Sequence, residues 1–425
     1  MTAGSAAPSL RRALGLWQVT AAGVGVILGA GVYALIGPAA AHAGQALWLA
    51  FLVAGVAALL TGYSYARLGA MRPRASPEFQ YTALAFGPDA GFVAGWLMLV
   101  GDVSAAASVA LGFGGYLTHV TGAGTTAGAL GLVLLAGAAV YAGIAHSVRL
   151  AIALTAVEAA GLLFVIAVGL PAWPQAGFGA MPGVGGVLSA SALIFFAYLG
   201  FDELGNLAEE MRAPERDLPR ALYLALAVTT VVYVAVALSA TAVVSADALA
   251  ASPAPLALVV RRVLGPAADT ALSVMALAAT ANTVLLLLLA GSRSVYGMAS
   301  DGVLPGRLAR LSRTRIPGLA MAVVLAGAAV LVLAGDLSGV ARLTDAVVLT
   351  SFICVNASLV WLGARGRTAG GPWRRVADVV VPALGALLCA ALLAENGWVW
   401  IAASLAIGLA GAAVRAVTVR RRRAA

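Results

Sequence analysis

Apolar residues run along this chain in long stretches, and the charged residues gather in the short segments between them. Twelve stretches have the length of a membrane-crossing helix: 16–38, 46–66, 90–117, 123–145, 148–171, 187–208, 221–245, 267–291, 318–335, 343–363, 377–394 and 397–416. About 20 apolar residues at a rise of about 1.5 Å cross a hydrocarbon core roughly 30 Å thick, so the pattern predicts an all-α integral membrane protein. The segments between leave no room for a soluble domain. The two longest, 171–186 and 245–266, are rich in Gly, Pro and Ala and are expected to be loops or hinges capping one side of the bundle. The economical reading is one transmembrane domain over 1–425.

Two stretches depart from the plain apolar pattern. In the first, TAAGVGVILGAGVYALIGPAA at 20–40, Gly23, Gly25, Gly29 and Gly31 interrupt the helix. Each interior glycine costs roughly 0.5–1 kcal/mol against alanine, so the run points to backbone that unwinds or is closely approached. Unwound backbone at membrane depth lines a cavity or is buried in protein, and N–H groups freed near Gly29 suit a carboxylate. On this segment alone, close helix packing through Gly25 and Gly29 accounts for the glycines equally well. The second is ALIFFAYLGFDELGNLAEEMRAPERDLPRAL at 192–222, where Gly200, Asp202, Glu203, Gly205 and Asn206 interrupt stretch six. Carboxylates there must face water, find a partner or mark a helix break. Stretches one and six match if the first ten form two five-helix halves. Paired broken helices in matching positions point to an inverted repeat with a site at the midplane, which favours the cavity reading of the glycines.

Composition agrees with immersion in lipid: 62% of the residues are hydrophobic and 10% charged, far from a soluble domain. The start MTAGSAAPSLRRALG leads straight into a spanning stretch, so no cleavable signal peptide is expected. Cys354 and Cys389 sit in apolar runs and suggest neither a disulfide nor a metal site, and no cofactor is indicated. The net charge of +9 does not imply nucleic acid, because the basic residues mark alternate loops. Arg11 and Arg12 precede stretch one, Arg67, Arg72 and Arg74 follow stretch two, and Arg149 follows stretch four. Arg212, Arg216 and Arg220 follow stretch six, and further groups follow stretches eight, ten and twelve. By the positive-inside rule both termini lie in the cytoplasm of a multi-pass protein of the cell membrane. No lysine occurs.

Three motifs carry a resemblance. GVGVILGAGVYALIG at 23–37 resembles the Gly-rich first-helix break of the amino acid–polyamine–organocation superfamily of permeases. FFAYLGFDELGNLAEEMRAPERDLPRAL at 195–222 resembles its broken sixth helix and following loop, and SRSVYGMASDGVLP at 292–305 is similar to its eighth-helix signature. The resemblance covers stretches one to ten and implies the leucine-transporter-type fold. That fold is a 5+5 inverted repeat, here 16–175 and 186–363, behind a cytoplasmic segment 1–15. Two extra helices at 377–416 and a basic tail at 417–425 would follow. It implies that N–H groups around Gly29, Ala30 and Gly31 hold a substrate carboxylate, and that carbonyls near Ile27, Phe196 and Leu199 accept its ammonium. Phe196 and Tyr198 would form an aromatic lid, with Gly200 at the break and Asp202 at a gating position. Ordinary helix packing is the alternative for Phe196. Between stretches two and three, ASPEFQY replaces the Gly-containing "G-x-x-Y-x-Y" run usual in relatives, leaving the conformation around Pro77 and Glu78 open.

Asp102 in stretch three and Glu158 in stretch five are single acids in apolar surroundings, and either could carry a coupling proton. Some sodium-independent relatives place a lysine near Glu158, so their mechanism does not transfer to this chain. For Glu158, a buried acid bonding a neighbouring carbonyl is the alternative. Thr280, Asn282 and Thr283 in stretch eight sit where sodium-coupled members supply hydroxyls, although helix-to-helix bonding suits them better, as it does Asn356. The loop group Glu209, Glu210, Arg212, Glu215, Arg216 and Asp217 is expected to form an ion-pair network at the gate, joined by Arg293 and Asp301. His42, His119 and His146 read as structural.

The expected function is secondary transport of an amino acid by alternating access, proton-coupled rather than sodium-coupled, as monomer or homodimer. The alternatives are an amine or polyamine carrier, an exchanger, or, in another class, a channel or membrane sensor. A channel lacks its filter motif, and an intramembrane enzyme lacks its catalytic grouping.

Overall fold

The structure is a computed structural model. It describes residues 14–72, 76–142, 148–175, 183–207, 211–300, 302–311 and 317–424. Arg11, Arg12, Arg74, His146, Glu209, Glu210 and Asp301 lie outside the described residues. Among the described residues the architecture is helical, with one isolated bridge between Leu14 and Met211.

The first stretch is two helices, α1 (Leu16–Ile27) and α2 (Gly31–Ala43). A 3-10 turn containing Gly44 at φ +54° leads into α3 (Leu47–Met71). After α4 (Pro77–Phe86) come α5 (Pro88–Thr121), α6 (Thr125–Tyr141) and α7 (Val148–Gly169). Stretch six is again interrupted: α8 (Val184–Ile194) passes into a 3-10 segment at Phe195–Tyr198, and α9 (Glu203–Asn206) resumes beyond Gly200. Then follow α10 (Pro214–Val243), α11 (Ala246–Ala251), α12 (Pro255–Leu264), α13 (Pro266–Ser300), α14 (Gly318–Ala334), α15 (Leu337–Ala364), α16 (Pro372–Glu395) and α17 (Trp398–Ala424). Proline opens α4, α5, α10, α12 and α16, where its missing N–H costs nothing. Asp336 caps α15 by accepting the Gly339 N–H at 2.9 Å.

Among the described residues nine helical stretches are long and apolar enough to cross a membrane, and α1, α6 and α14 are shorter apolar helices. Two expected loops are helical. Segment 245–266 holds α11, capped by Ser245, and α12, which buries Leu256, Val259 and Val260 and exposes Arg261 and Arg262. The run at 77–86 is α4, launched from Ser76 in the left-handed region (φ 60°). Helices of this length show too few turns for their apolar stripe to stand out in the sequence.

The core is built by α3, α5, α10, α13 and α15: α10 packs on α3, while α13 and α15 both pack on α5. The halves of the two broken helices are embedded among them, α1 against α10 and α2 against α8. The late helices are fastened to this core. α16 lies on α15 and α3, and α17 lies on α5, where Gly411 is close enough that a β carbon would meet Trp96 Cδ1 at 2.6 Å.

Candidate functional site

The two breaks touch, and glycine allows it. A β carbon on Gly31, at the start of α2, would come 2.7 Å from Ala197 Cα and 3.1 Å from Phe196 Cδ1. From the other side Gly200, at φ +113°, rests on α1, where a β carbon would meet Val26 Cγ1 at 2.8 Å. Both positions therefore need glycine for close approach, and Gly200 needs it for its backbone angle as well.

The breaks free backbone polar groups. The first intrahelical bond of α2 runs from Ala34 N–H to Ala30 C=O at 3.1 Å, which leaves the N–H groups of Gly31, Val32 and Tyr33 without an acceptor inside the helix. The Ala30 N–H donates to Thr283 Oγ1 of α13 at 3.3 Å. On the sixth-helix side, Leu199 N–H donates to Phe196 C=O at 3.1 Å, and Gly200 N–H donates to Asp202 Oδ1 at 2.9 Å. The Tyr233 hydroxyl, from α10, lies 2.5 Å from Ile27 C=O and 2.9 Å from Ala197 C=O. Its single proton serves either carbonyl, so one side chain ties the two breaks together.

A cavity of about 730 Å³ lies against this crossing. Of the residues singled out in the sequence, Ile27, Gly29, Ala30 and Gly31 line it on the first-break side. Phe196, Leu199, Gly200 and Asp202 line it on the sixth-helix side, and Asp102, Glu158 and Thr283 elsewhere. Two are placed away from it. Tyr198 is fully buried, donates to Phe51 C=O at 2.8 Å and meets Tyr233 edge-on at 5.3 Å between ring centres. Thr280 turns back on its own helix, donating to Ala276 C=O at 2.7 Å. Leu199 and Ala197 fill the wall that Tyr198 was expected to share with Phe196.

The cavity runs from the buried crossing to the surface at Ser76, Arg293 and Ser300, all exposed. At the other end the lining residues Val109, Phe196 and Ala197 are buried. The expected loop network takes a smaller form: Arg216 lies 3.9 Å from its neighbour Asp217, the one ion pair of that loop among the described residues. His119 pairs with Asp269 at 2.8 Å, and Arg342 donates to His42 Nε2 at 3.1 Å.

The geometry accords with what comparison shows. The family model for amino acid permeases matches residues 14–410. The chain belongs to the amino acid permease family. The permease is 35% identical over 423 residues to an uncharacterized transporter of Mycobacterium tuberculosis, covering 97% of this chain and 93% of that protein. It is 28% identical over 425 residues to the branched-chain amino acid permease BcaP of Bacillus subtilis, covering 94% and 91%. Against the methylthioribose transporter of Bacillus subtilis it is 30% identical over 419 residues, covering 92% and 89%. With its many apolar helices, the permease is a multi-pass membrane protein whose relatives are transporters rather than enzymes.

Sequence reasoning missed Tyr233, a lone tyrosine in an apolar run whose partners are 206 and 36 residues away. It noticed Glu78 only as a departure from a motif. In the permease Glu78 lines the cavity mouth, 5% exposed, and accepts the Tyr65 hydroxyl at 2.7 Å. Tyr65 is itself held between the rings of Tyr81, Phe201 and Phe352, all fully buried. Burial raises the Glu78 pKa, and the negative charge of Asp202 raises it further. A pKa raised on folding means stability that is complete below the ordinary glutamate range and is lost as the pH rises through the raised value. Thermal unfolding across a pH series should therefore show the permease weakening towards alkaline pH. In Glu78→Gln, which cannot ionise, the slope should be flatter, and identical slopes would show that this carboxyl does not sense pH.

Proposed function

We propose that the permease is a secondary active transporter that moves an amino acid across the cytoplasmic membrane by alternating access, coupled to protons. One observation carries the reading: a single cavity meets two glycine-dependent helix breaks that offer unpaired N–H donors on one side and carbonyl acceptors on the other. A zwitterion needs that pairing. Its carboxylate suits the N–H groups of Gly29 and Gly31, and that of Ala30 if it leaves Thr283, aided by the positive end of α2, and its ammonium suits carbonyls of Ile27, Phe196 and Leu199. Each carbonyl has two lone pairs, so those already bonded within the protein can still accept. Phe196 and Leu199 provide apolar wall, and Gly200 and Asp202 form the turn below it.

In this reading the chain is one transmembrane domain of two five-helix repeats, 16–175 and 186–363, followed by two further helices at 377–416. Both termini are cytoplasmic, so the arginine-bearing end where the cavity meets the surface faces inward and the conformation is inward-open. Glu158, on α7 beside the first break, takes the coupling proton. Its Oε1 is buried without a hydrogen-bond partner, as a carboxyl that must gain and lose a proton requires. Thr283 holds the broken backbone through Ala30, and Thr280 stabilises its own helix.

The test is uptake of radiolabelled amino acids into proteoliposomes of purified protein, with and without an inward proton gradient. Saturable uptake that rises with the gradient is expected. In Glu158→Gln the dependence of uptake on pH should disappear. A pH profile matching the wild type would remove Glu158 from the coupling step, and uptake driven by sodium alone would remove the proton.

A further inference from the structure

Among the described residues the cavity is lined by five carboxyl side chains, Glu78, Asp102, Glu158, Asp202 and Glu203, and by one cationic side chain, Arg293 at the mouth. Three of the five are engaged: Glu78 by Tyr65, Asp202 by the Gly200 N–H, and Glu203 by a partner of its own. The other two, Asp102 and Glu158, line the cavity in buried positions. Asp102 is 7% exposed and Glu158 1% exposed, and the Oε1 atom of Glu158 is sealed in with no donor in reach. Glu158 is sufficient for a proton-coupling step, which leaves Asp102 as a second buried acid in the cavity wall. A carboxyl in the wall of a buried cavity is stabilised by a cation that enters it, so Asp102 suits something that arrives with the cargo.

The position of Asp102 indicates what that is. On α13 the first break is marked by Thr283, whose hydroxyl takes the Ala30 N–H, and Asp102 faces Gly291, where a β carbon would lie 3.9 Å from Asp102 Cβ. Eight residues of α-helix separate these levels, a rise of about 12 Å. A substrate whose carboxylate sits at the break reaches Asp102 only with a long side chain, and it gains from the contact only if that side chain ends in a donor or a positive charge. Long aliphatic stems with charged ends have this form. A short or branched apolar side chain leaves the acid as it was.

We propose that Asp102 is the side-chain subsite of the permease, pairing with the terminal cation of a basic amino acid, and that the cavity selects such substrates over uncharged ones of the same length. The proposal rests on the amino acid transport reading above. Arginine and citrulline separate charge from shape, because they share a stem and differ in the terminal charge. In proteoliposomes, unlabelled arginine is expected to compete with labelled arginine at least about tenfold better than citrulline does, the scale of one buried charge pair. Asp102→Asn should lower that ratio by about the same factor, and Asp102→Glu should keep it. Equal competition by arginine and citrulline in the wild-type protein overturns the proposal without any variant. So does an Asp102→Asn protein in which both affinities fall together, which would make the residue a general part of the cycle. If leucine or another neutral amino acid is taken up but arginine neither enters nor competes, the transport reading stands and this inference falls. If no amino acid of any kind enters or exchanges, the transport reading itself fails.

Discussion

Gly31→Val is expected to reduce uptake to background while the protein still purifies as a folded species. The reason is steric and local. A β carbon at this position meets Ala197 Cα at 2.7 Å, Phe196 Cδ1 at 3.1 Å and Ala197 Cβ at 3.2 Å. Backbone cannot rotate aside as a side-chain tip can, so the 3-10 segment of the sixth helix has to move away from α2. Overpacking of this kind costs roughly 1–3 kcal/mol, a load that a large helical bundle carries. The contact between the breaks, however, is where the proposed carboxylate and ammonium partners converge. A shift of the crossing also stretches the Tyr233 bonds to Ile27 and Ala197. Gly31→Ala carries the same β carbon without the two methyls and should be intermediate. Uptake by Gly31→Val at the wild-type rate, measured beside its elution profile in size-exclusion chromatography, would show that the crossing is not the site.

The helices and both breaks were legible in the sequence because each writes a long-range physical demand into a local pattern. A stretch such as 90–117 is apolar because lipid or protein surrounds it on every side, and Gly31 and Gly200 are glycine because another backbone passes within van der Waals contact. The parts that were not legible depend on who meets whom. Tyr198 and Phe196 stand two residues apart in a motif, yet the 3-10 geometry of 195–198 turns Phe196 into the cavity and Tyr198 towards Phe51. An extended segment, with its period of two, would have put both on one face. Tyr233 and Tyr65 act on backbone and carboxyl groups from other helices, and nothing in their own neighbourhood announces it. The helices α11 and α12 escaped notice for another reason: they are too short to repeat their pattern, and their Gly, Pro and Ala residues read as loop.

The largest loss of stability is expected where the sequence offered two unremarkable charges. Arg67, taken from the sequence only as a marker of topology, sends Nε and Nη2 to the two carboxylate oxygens of Asp378, each at 2.7 Å. Tyr63 adds a third bond to Asp378 at 2.7 Å, and Arg67 Nη2 also reaches Ala369 C=O at 2.9 Å. The Asp378 side chain is 0% exposed and that of Arg67 12%. This cluster joins α3 to α16, and a second one runs beside it: Ser64 donates to Asn356 Oδ1 at 2.6 Å, and Asn356 Nδ2 donates to Thr61 at 3.1 Å. α16 is therefore clamped to α3 by polar bonds. Arg67→Met keeps the stem and removes the charge, leaving Asp378 buried without its counter-ion. Breaking a buried pair from one side costs about 3–5 kcal/mol, because the remaining charge has lost its counter-ion. Thermal unfolding in detergent should show a clear fall in midpoint for Arg67→Met. The paired change Arg67→Met with Asp378→Leu should recover most of it, since no charge is then stranded. An unchanged midpoint in the single variant would mean that water reaches Asp378 in the detergent-solubilised protein and that α16 is held by its apolar face alone.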